Sequence, residues 1–248
     1  MTQPVNYDLV ASTYDRRYER NRYEGVKAAL QQFIDTPGLD VAEVACGTGH
    51  WVAELRDGVR MAAALDFSFE MLERARTAAP FAHIVRGRAE QLPWTSTSFD
   101  RVFCINALHH FDDPDAFIAE ARRVLRPAGG VLIVGLDPHT QLDSWWVYDY
   151  FPSAFHIDRA RFLSTQTIRK RLQATGFVDP RTDLAHVFQA TIAFADAVPR
   201  GFIDRRSTSQ LMLVSDAEYA AGIERLRTEQ PVLRSDVRLY ATVARRPR

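Results

Sequence analysis

Cysteine is scarce in this chain: 248 residues carry two, Cys46 and Cys104. Two thiols with no Cys-x-x-Cys spacing exclude a zinc site, and both are expected to be buried and reduced. Lysine is as rare, with Lys27 and Lys170 alone, so nearly all the cationic charge is arginine. Neither sign of charge is in surplus: Lys plus Arg equals Asp plus Glu at 31 each, which argues against a broad basic footprint for nucleic acid. The pairs Arg16-Arg17 and Arg205-Arg206 read as solvated faces. No apolar run reaches the roughly 18 residues that a bilayer span needs. Met1 to Asn6 lacks a basic-then-apolar signal pattern, so a cytoplasmic protein without membrane insertion is expected. There is no internal repeat, low-complexity tract or interdomain linker. With 46% apolar and 25% charged residues, the composition is that of one ordinary globular domain, expected as a monomer or homodimer.

What is present centres on Val41-Ala42-Glu43-Val44-Ala45-Cys46-Gly47-Thr48-Gly49-His50-Trp51. The apolar run reads as a buried strand, the glycines as a sharp turn open to a ligand, and the residues from His50 as a helix start. A second apolar run, Met61 to Leu65, ends in Asp66, 17 residues beyond Gly49 (66 − 49). An acid at that strand tip can accept hydrogen bonds from both ribose hydroxyls, so the pair of elements reads as a nucleoside-binding corner of an open α/β sheet.

The remaining chain supports that class. Residues 7 to 35 carry Tyr and apolar residues at helical spacing and read as a helical segment, either an amphipathic cap on the sheet or a lid whose Tyr and Arg reach a bound carboxylate. Strands are expected at 81–85, 99–105 and 131–136. Helices are expected at about 68–79, capped by Ser68, and after Asp113-Pro114. Strand and helix alternate through residue 136, which predicts a parallel sheet with helices on both faces. Residues 140–163 are crowded with aromatics and lack clean periodicity, so they read as an insertion. A helix at 167–175, a strand at 182–190, two helical parts over 191–230 and a closing strand at 236–244 complete the pattern. The expected units are a helical N-terminal lid over 1–38, a core over 39–136, insertions plus a sixth strand over 137–230, and the closing strand over 231–248.

These stretches, together with Ala89-Glu90-Gln91-Leu92-Pro93-Trp94, Asn106-Ala107-Leu108-His109-His110-Phe111 and Arg123 to Gly130, resemble the class I S-adenosylmethionine (SAM)-dependent methyltransferases. The likeness is to the small-molecule branch that includes the ubiquinone and menaquinone C-methyltransferases, and it covers residues 7 to 136. The resemblance implies a Rossmann-like, doubly wound seven-stranded sheet whose last strand inserts antiparallel beside the fifth. It also implies SAM as cofactor and a small-molecule acceptor. It implies that Ala45, Gly47 and Gly49 let the backbone pass close to SAM, that Glu43 helps hold the methionine ammonium, and that Asp66 takes the ribose hydroxyls. Phe67 and Met71 would pack on adenine, with Arg88, Ala89 and Glu90 along the ring. Asn106 and Ala107 would lie beside the sulfonium. Tyr14 would close over SAM, and Arg22 would meet its carboxylate. Two departures stand out: Ala45 replaces the first glycine of the loop, and Arg88 replaces an acid that usually accepts from the adenine amino group. Arginine has no acceptor to offer.

The expected reaction is in-line methyl transfer to an O-, N- or C-acceptor, with no metal. His109 and His110 are candidates for a general base or an acceptor contact. The aromatic insertion and the helices of 191–228 would form a planar or hydrophobic acceptor pocket. A non-catalytic SAM-binding module and a nicotinamide oxidoreductase are the alternatives. Against the latter, Val52 stands where a third glycine belongs, and no Tyr-x-x-x-Lys pair is evident.

Overall fold

The computed structural model describes residues 6–248; the side chain of Arg20 and residues 1–5, where most of the signal-pattern reading falls, lie outside the description. The N-terminal segment is broken where one helical stretch is expected. Two 3-10 turns, Tyr7–Leu9 and Ala11–Thr13, precede α1 (Arg16–Arg20) and α2 (Glu24–Phe33). Tyr23, at φ 50°, turns the chain between the two helices.

β1 (Leu39–Val44) then leads through the glycine turn to α3 (His50–Ala53), β2 (Val59–Asp66) and α4 (Phe69–Ala78). Ser68 caps α4 by accepting from the Met71 amide. β3 (His83–Arg86), β4 (Phe99–Ile105), α5 (Pro114–Val124) and β5 (Leu125–Gly135) complete the regular alternation. Asp113 caps α5 by accepting from the amides of Asp115 and Ala116, as its sequence position predicts. β5 begins six residues before the expected Val131, taking in the Pro127 and Gly129-Gly130 stretch that reads as a breaker.

The region after β5 holds β6 (Ser144–Trp145), α6 (Trp146–Tyr150), α7 (Pro152–Arg161) and α8 (Thr165–Ala174), then the long edge strand β7 (Val178–Ala193). The two helical parts expected over 191–230 are four pieces: α9 (Phe194–Ala197), a 3-10 turn Arg205–Ser207, α10 (Ser209–Leu213) and α11 (Asp216–Glu229). β8 (Val232–Arg245) closes the chain.

The sheet runs β3-β2-β1-β4-β5-β8, with β7 along the other edge of β8. The first five strands are parallel, and β8 lies antiparallel to both β5 and β7. This is the expected Rossmann-like arrangement with an inserted antiparallel last strand. The sheet has eight strands rather than seven because β6 pairs with β8 at Ser235 and Asp236, beyond the end of β5. Side chains alternate across it with period two. Ala42, Val44, Val102, Cys104, Val131 and Ile133 face Phe117, Ile118 and Leu172 of α5 and α8. Val41, Phe103, Ile105, Leu132 and Val134 face Val26 and Leu30 of α2. Both faces are therefore dry, as a parallel sheet requires. The residues after β5 build a core of their own, with Trp146, Val147, Phe151, Leu211, Ile223 and Leu226 at its centre. The strand order reverses between β1 and β4, so the carboxyl ends of these two strands open the crevice where ligands bind in such sheets.

Candidate active site

The glycine turn is built from left-handed backbone. Ala45, Gly47 and Gly49 have φ of 61°, 55° and 82°. Gly49 is obligatory twice over: besides its φ, a Cβ there would meet Ala75 Cα of α4 at 2.9 Å. Gly47 lies under the ring of Tyr14, whose nearest atom would be 3.7 Å from an added Cβ. Ala45 carries a side chain where the conformation favours glycine, a strain of the sort that collects at binding sites. Asn106, at the tip of β4, is the matching left-handed residue across the crevice, at φ 54°.

Asp66 ties the turn to β2. Its Oδ2 accepts from the Gly47 amide at 2.8 Å and its Oδ1 from the Ser68 amide at 2.9 Å. Burial pushes its carboxyl up, opposed by those amides. Each carboxylate oxygen has a second lone pair, so room remains for hydroxyl donors. Glu43 is 1% exposed, and its buried Oε2 has no partner. Burial pushes its carboxyl well above the usual carboxylate range, and Asp66 adds to the effect. A buried carboxylate oxygen left without a partner beside the turn fits a cationic group that arrives with the ligand.

The N-terminal segment lies over this corner. Asp8 accepts from Ser68 Oγ and from the Glu70 amide, Thr48 Oγ1 donates to Asp15, and Tyr7 and His110 share a 2.6 Å hydrogen bond. Tyr14 meets Tyr7 and Tyr18 edge-on, and Tyr18 stacks on His50 at 3.6 Å. The Arg17 guanidinium sits 3.6 Å from the Tyr14 ring centre, and its buried Nε has no partner. Arg17 is thus a site residue, not part of a solvated pair, whereas Arg22 is exposed and does not line the cavity. The helical spacing of Tyr14, Arg17 and Tyr18 is the sequence feature that could have singled Arg17 out.

The adenine side is partly rearranged from expectation. Phe67 is 60% exposed, with the guanidinium groups of Arg86 and Arg88 at 5.6 and 5.4 Å from its ring centre. Arg88 turns outward to pair with Asp112 and, at 3.5 Å, with Glu90. Glu90 also accepts from the Asp112 amide, while Ala89 is buried. Met71 is 1% exposed and packs on Val10 and Ala11, beneath the N-terminal segment rather than open to a ring.

Beyond Asn106 and Ala107, the turn Leu108–His110 carries both histidines. His109 stacks on Phe162 at 3.8 Å. Burial, helped by the charges of Arg161 and Arg17, pushes His109 well below the usual imidazole value and His110 down to about 3. Both rings are thus held neutral, His110 against the Tyr7 hydroxyl and His109 against Phe162, an arrangement that suits an acceptor contact, the other role expected of them. Of the other titratable groups on this side of the molecule, Tyr148 donates to Asp158, His139 bonds the Phe162 carbonyl, and Asp112 and His156 are exposed.

A cavity of about 210 Å³ opens between these parts. Arg17, Asn106 and His109 are among its lining residues, with Trp145, Phe162, Phe188 and the stretch Ser207–Gln210. That polar stretch carries no signature that sequence reading could have flagged. Among the described residues, no group of three or more His, Cys, Asp or Glu is placed to hold a metal, and no helix is long and apolar enough to cross a membrane.

Comparison with known proteins agrees with this geometry. Residues 42–134 match the methyltransferase domain model. The chain is 33% identical over 146 residues to the phthiotriol/phenolphthiotriol dimycocerosates methyltransferase of Mycobacterium tuberculosis, across 57% of this chain and 53% of that protein. It is 33% identical over 135 residues to the demethylmenaquinone methyltransferase of Renibacterium salmoninarum, across 54% of each. The chain thus spans about half the length of these curated relatives. Among solved structures, a Bacillus halodurans C-125 protein with a provisional methyltransferase name superposes with a TM-score of 0.64 at 25% identity, over 90% of this chain and 99% of that one. Phosphoethanolamine N-methyltransferase 2 of Haemonchus contortus, solved with S-adenosyl-L-methionine, shares the fold at a TM-score of 0.64 and 17% identity, over 97% of this chain and 57% of that one. Residues 42–134 thus resemble the methyltransferase domain family, and the chain has the Rossmann-like methyltransferase fold.

Proposed function

We propose that this protein is a SAM-dependent methyltransferase acting on a small, planar or hydrophobic molecule. The observation that carries the reading is the buried Glu43 carboxyl, whose Oε2 has no partner, beside a glycine turn that Asp66 braces. Bound SAM supplies a methyl group on a sulfonium, a good leaving group that needs no metal. The chain's own residues then have positioning and shielding to do. Asp66 accepts from ribose hydroxyls, Glu43 favours the ammonium, and Arg17 offers its free Nε–H to the carboxylate. Asn106 and Ala107 border the reacting centre, and Phe67 with Ala89 flanks adenine. Tyr7 and Tyr14, held by the Asp8 and Asp15 contacts, keep water out. His109 contacts the acceptor through a neutral ring, and the pocket between Trp145, Phe162 and Phe188 receives it.

Calorimetric titration of S-adenosylhomocysteine into wild type and Asp66→Asn tests this. Micromolar-range binding to wild type, weakened about tenfold or more in the variant, is expected. No binding to the wild-type protein would overturn the proposal. Turnover of SAM with any acceptor separates an enzyme from a non-catalytic SAM-binding module.

A further inference from the structure

The charged groups around the cavity are unbalanced. Among its described lining residues the one charged side chain is Arg17, and none is a carboxylate. A second guanidinium stands just behind the wall. Arg161, the last residue of α7, precedes Phe162 and donates from Nη2 to Ser209 Oγ at 3.3 Å, and both of those neighbours line the cavity. Its Nη1 is buried and has no partner, and among the described residues it forms no ion pair. The acid nearest in influence is Asp158, one turn earlier on α7. Its Oδ2 is already taken by Tyr148 at 2.9 Å and Gln210 at 2.8 Å. Burial lifts Asp158 to about 6, so at neutral pH it is largely ionised and offsets part of the Arg161 charge, but it forms no ion pair with that guanidinium.

A guanidinium held partly out of water with an idle N–H destabilises the fold unless something else meets it. Planar forks of this kind bind oxyanions best. The field is felt across the cavity: Arg161 and Arg17 both help to drive protons off His109 and His110. The same field favours an ionised acidic group and repels an ammonium.

Resting on the methyltransferase reading above, we infer that the acceptor is an aromatic oxyanion, a planar ring bearing a carboxylate or ionised phenol that pairs with Arg161 beside Ser209. The ring lies among Trp145, Phe162 and Phe188. Arg17 serves the cofactor side and Arg161 the acceptor side. Cationic amines are disfavoured as acceptors, since Arg17 lines the cavity, Arg161 backs it and no carboxylate is among its described lining residues.

The test uses protein saturated with S-adenosylhomocysteine and three probes of one shape: naphthoate, naphthamide and naphthylmethylammonium. Calorimetry on wild type is expected to show naphthoate binding at least about tenfold more tightly than the amide, with the ammonium weakest. Arg161→Gln should erase that preference, with S-adenosylhomocysteine affinity unchanged and the melting temperature equal or higher. Arg161→Lys, which keeps the charge, should retain part of it and serves if the glutamine variant does not fold. Equal or tighter binding of the amide or ammonium, absence of naphthoate binding, or a preference that survives Arg161→Gln would overturn the inference. Failure of wild type to bind S-adenosylhomocysteine would instead strike the methyltransferase reading itself.

Discussion

Glu43 shows how a single residue can trade stability for binding. In the ligand-free fold its carboxyl holds a proton longer than it does in the unfolded chain, because burial penalises the charge. A group with a raised folded value loses stability as pH climbs from about 4.3, the ordinary glutamate value, through that raised value. Glu43→Gln should therefore stabilise the empty protein, and more at about pH 8 than near pH 4.5, as read by denaturant unfolding at the two pH values. The same change should weaken S-adenosylhomocysteine binding about tenfold or more, since an ammonium then meets no carboxylate. Wild type should release a proton on binding, seen as a calorimetric heat that varies with the buffer's ionisation enthalpy. Glu43→Gln should release none. Unaltered binding by the variant would remove Glu43 from the site. The histidines carry a complementary expectation: with both imidazoles held neutral, the rate of methyl transfer should show no titration limb near about pH 6.5.

At the scale of elements, the N-terminal segment is held by a few polar contacts and ring edges rather than by a deep core. Of the stretch that holds its two 3-10 turns, only Ala11 and the intervening Val10 are buried, at the join with Met71. Such a segment opens at lower free energy than the sheet beneath it. Asp8→Ala removes the contacts to Ser68 and Glu70 at the start of α4. It should leave the melting temperature nearly unchanged and speed both entry and release of S-adenosylhomocysteine, measured by stopped-flow fluorescence. The glycine turn behaves oppositely. Gly49→Ala forces a side chain into left-handed backbone, at a cost of about 1–2 kcal/mol before the contact with Ala75 is counted. Chemical denaturation should show that loss together with loss of cofactor binding.

The whole molecule is a sheet with a second core attached. The apolar cluster of α6, α7, α10 and α11 is separate from the two clusters that flank the sheet, yet it supplies one wall of the cavity. Gly222 marks the join of α11 to α6, since an added Cβ would overlap the ring of Phe151. Gly222→Ala should cost about 1–3 kcal/mol through overpacking. It should weaken binding of naphthoate while S-adenosylhomocysteine binding, made on the sheet side, stays within about twofold of wild type. Equal loss of both ligands would mean that the two cores act as one unit.

Local chemistry made much of this legible in advance. The glycine turn, Asp66 at a strand tip, the Ser68 and Asp113 caps and the short apolar runs each follow from conformational limits or hydrogen-bonding needs within a few residues, so the alternation of strand and helix and the corner could be read along the chain, while the order of strands in the sheet came with the family resemblance. The N-terminal segment is helical as expected but in four pieces, because Tyr and apolar spacing continues through breaks that only docking on Met71, Ser68 and Thr48 makes stable. Arg17 and Arg22 look alike in sequence; the turn at Tyr23 and the Tyr14 ring decide which enters the cavity. The neutral state of His109 and His110, the idle N–H of Arg161 and the company of Ser209 depend on burial and on charges from elements far apart in the chain. Desolvation and Coulomb interaction act through space, and only the folded structure sets those distances.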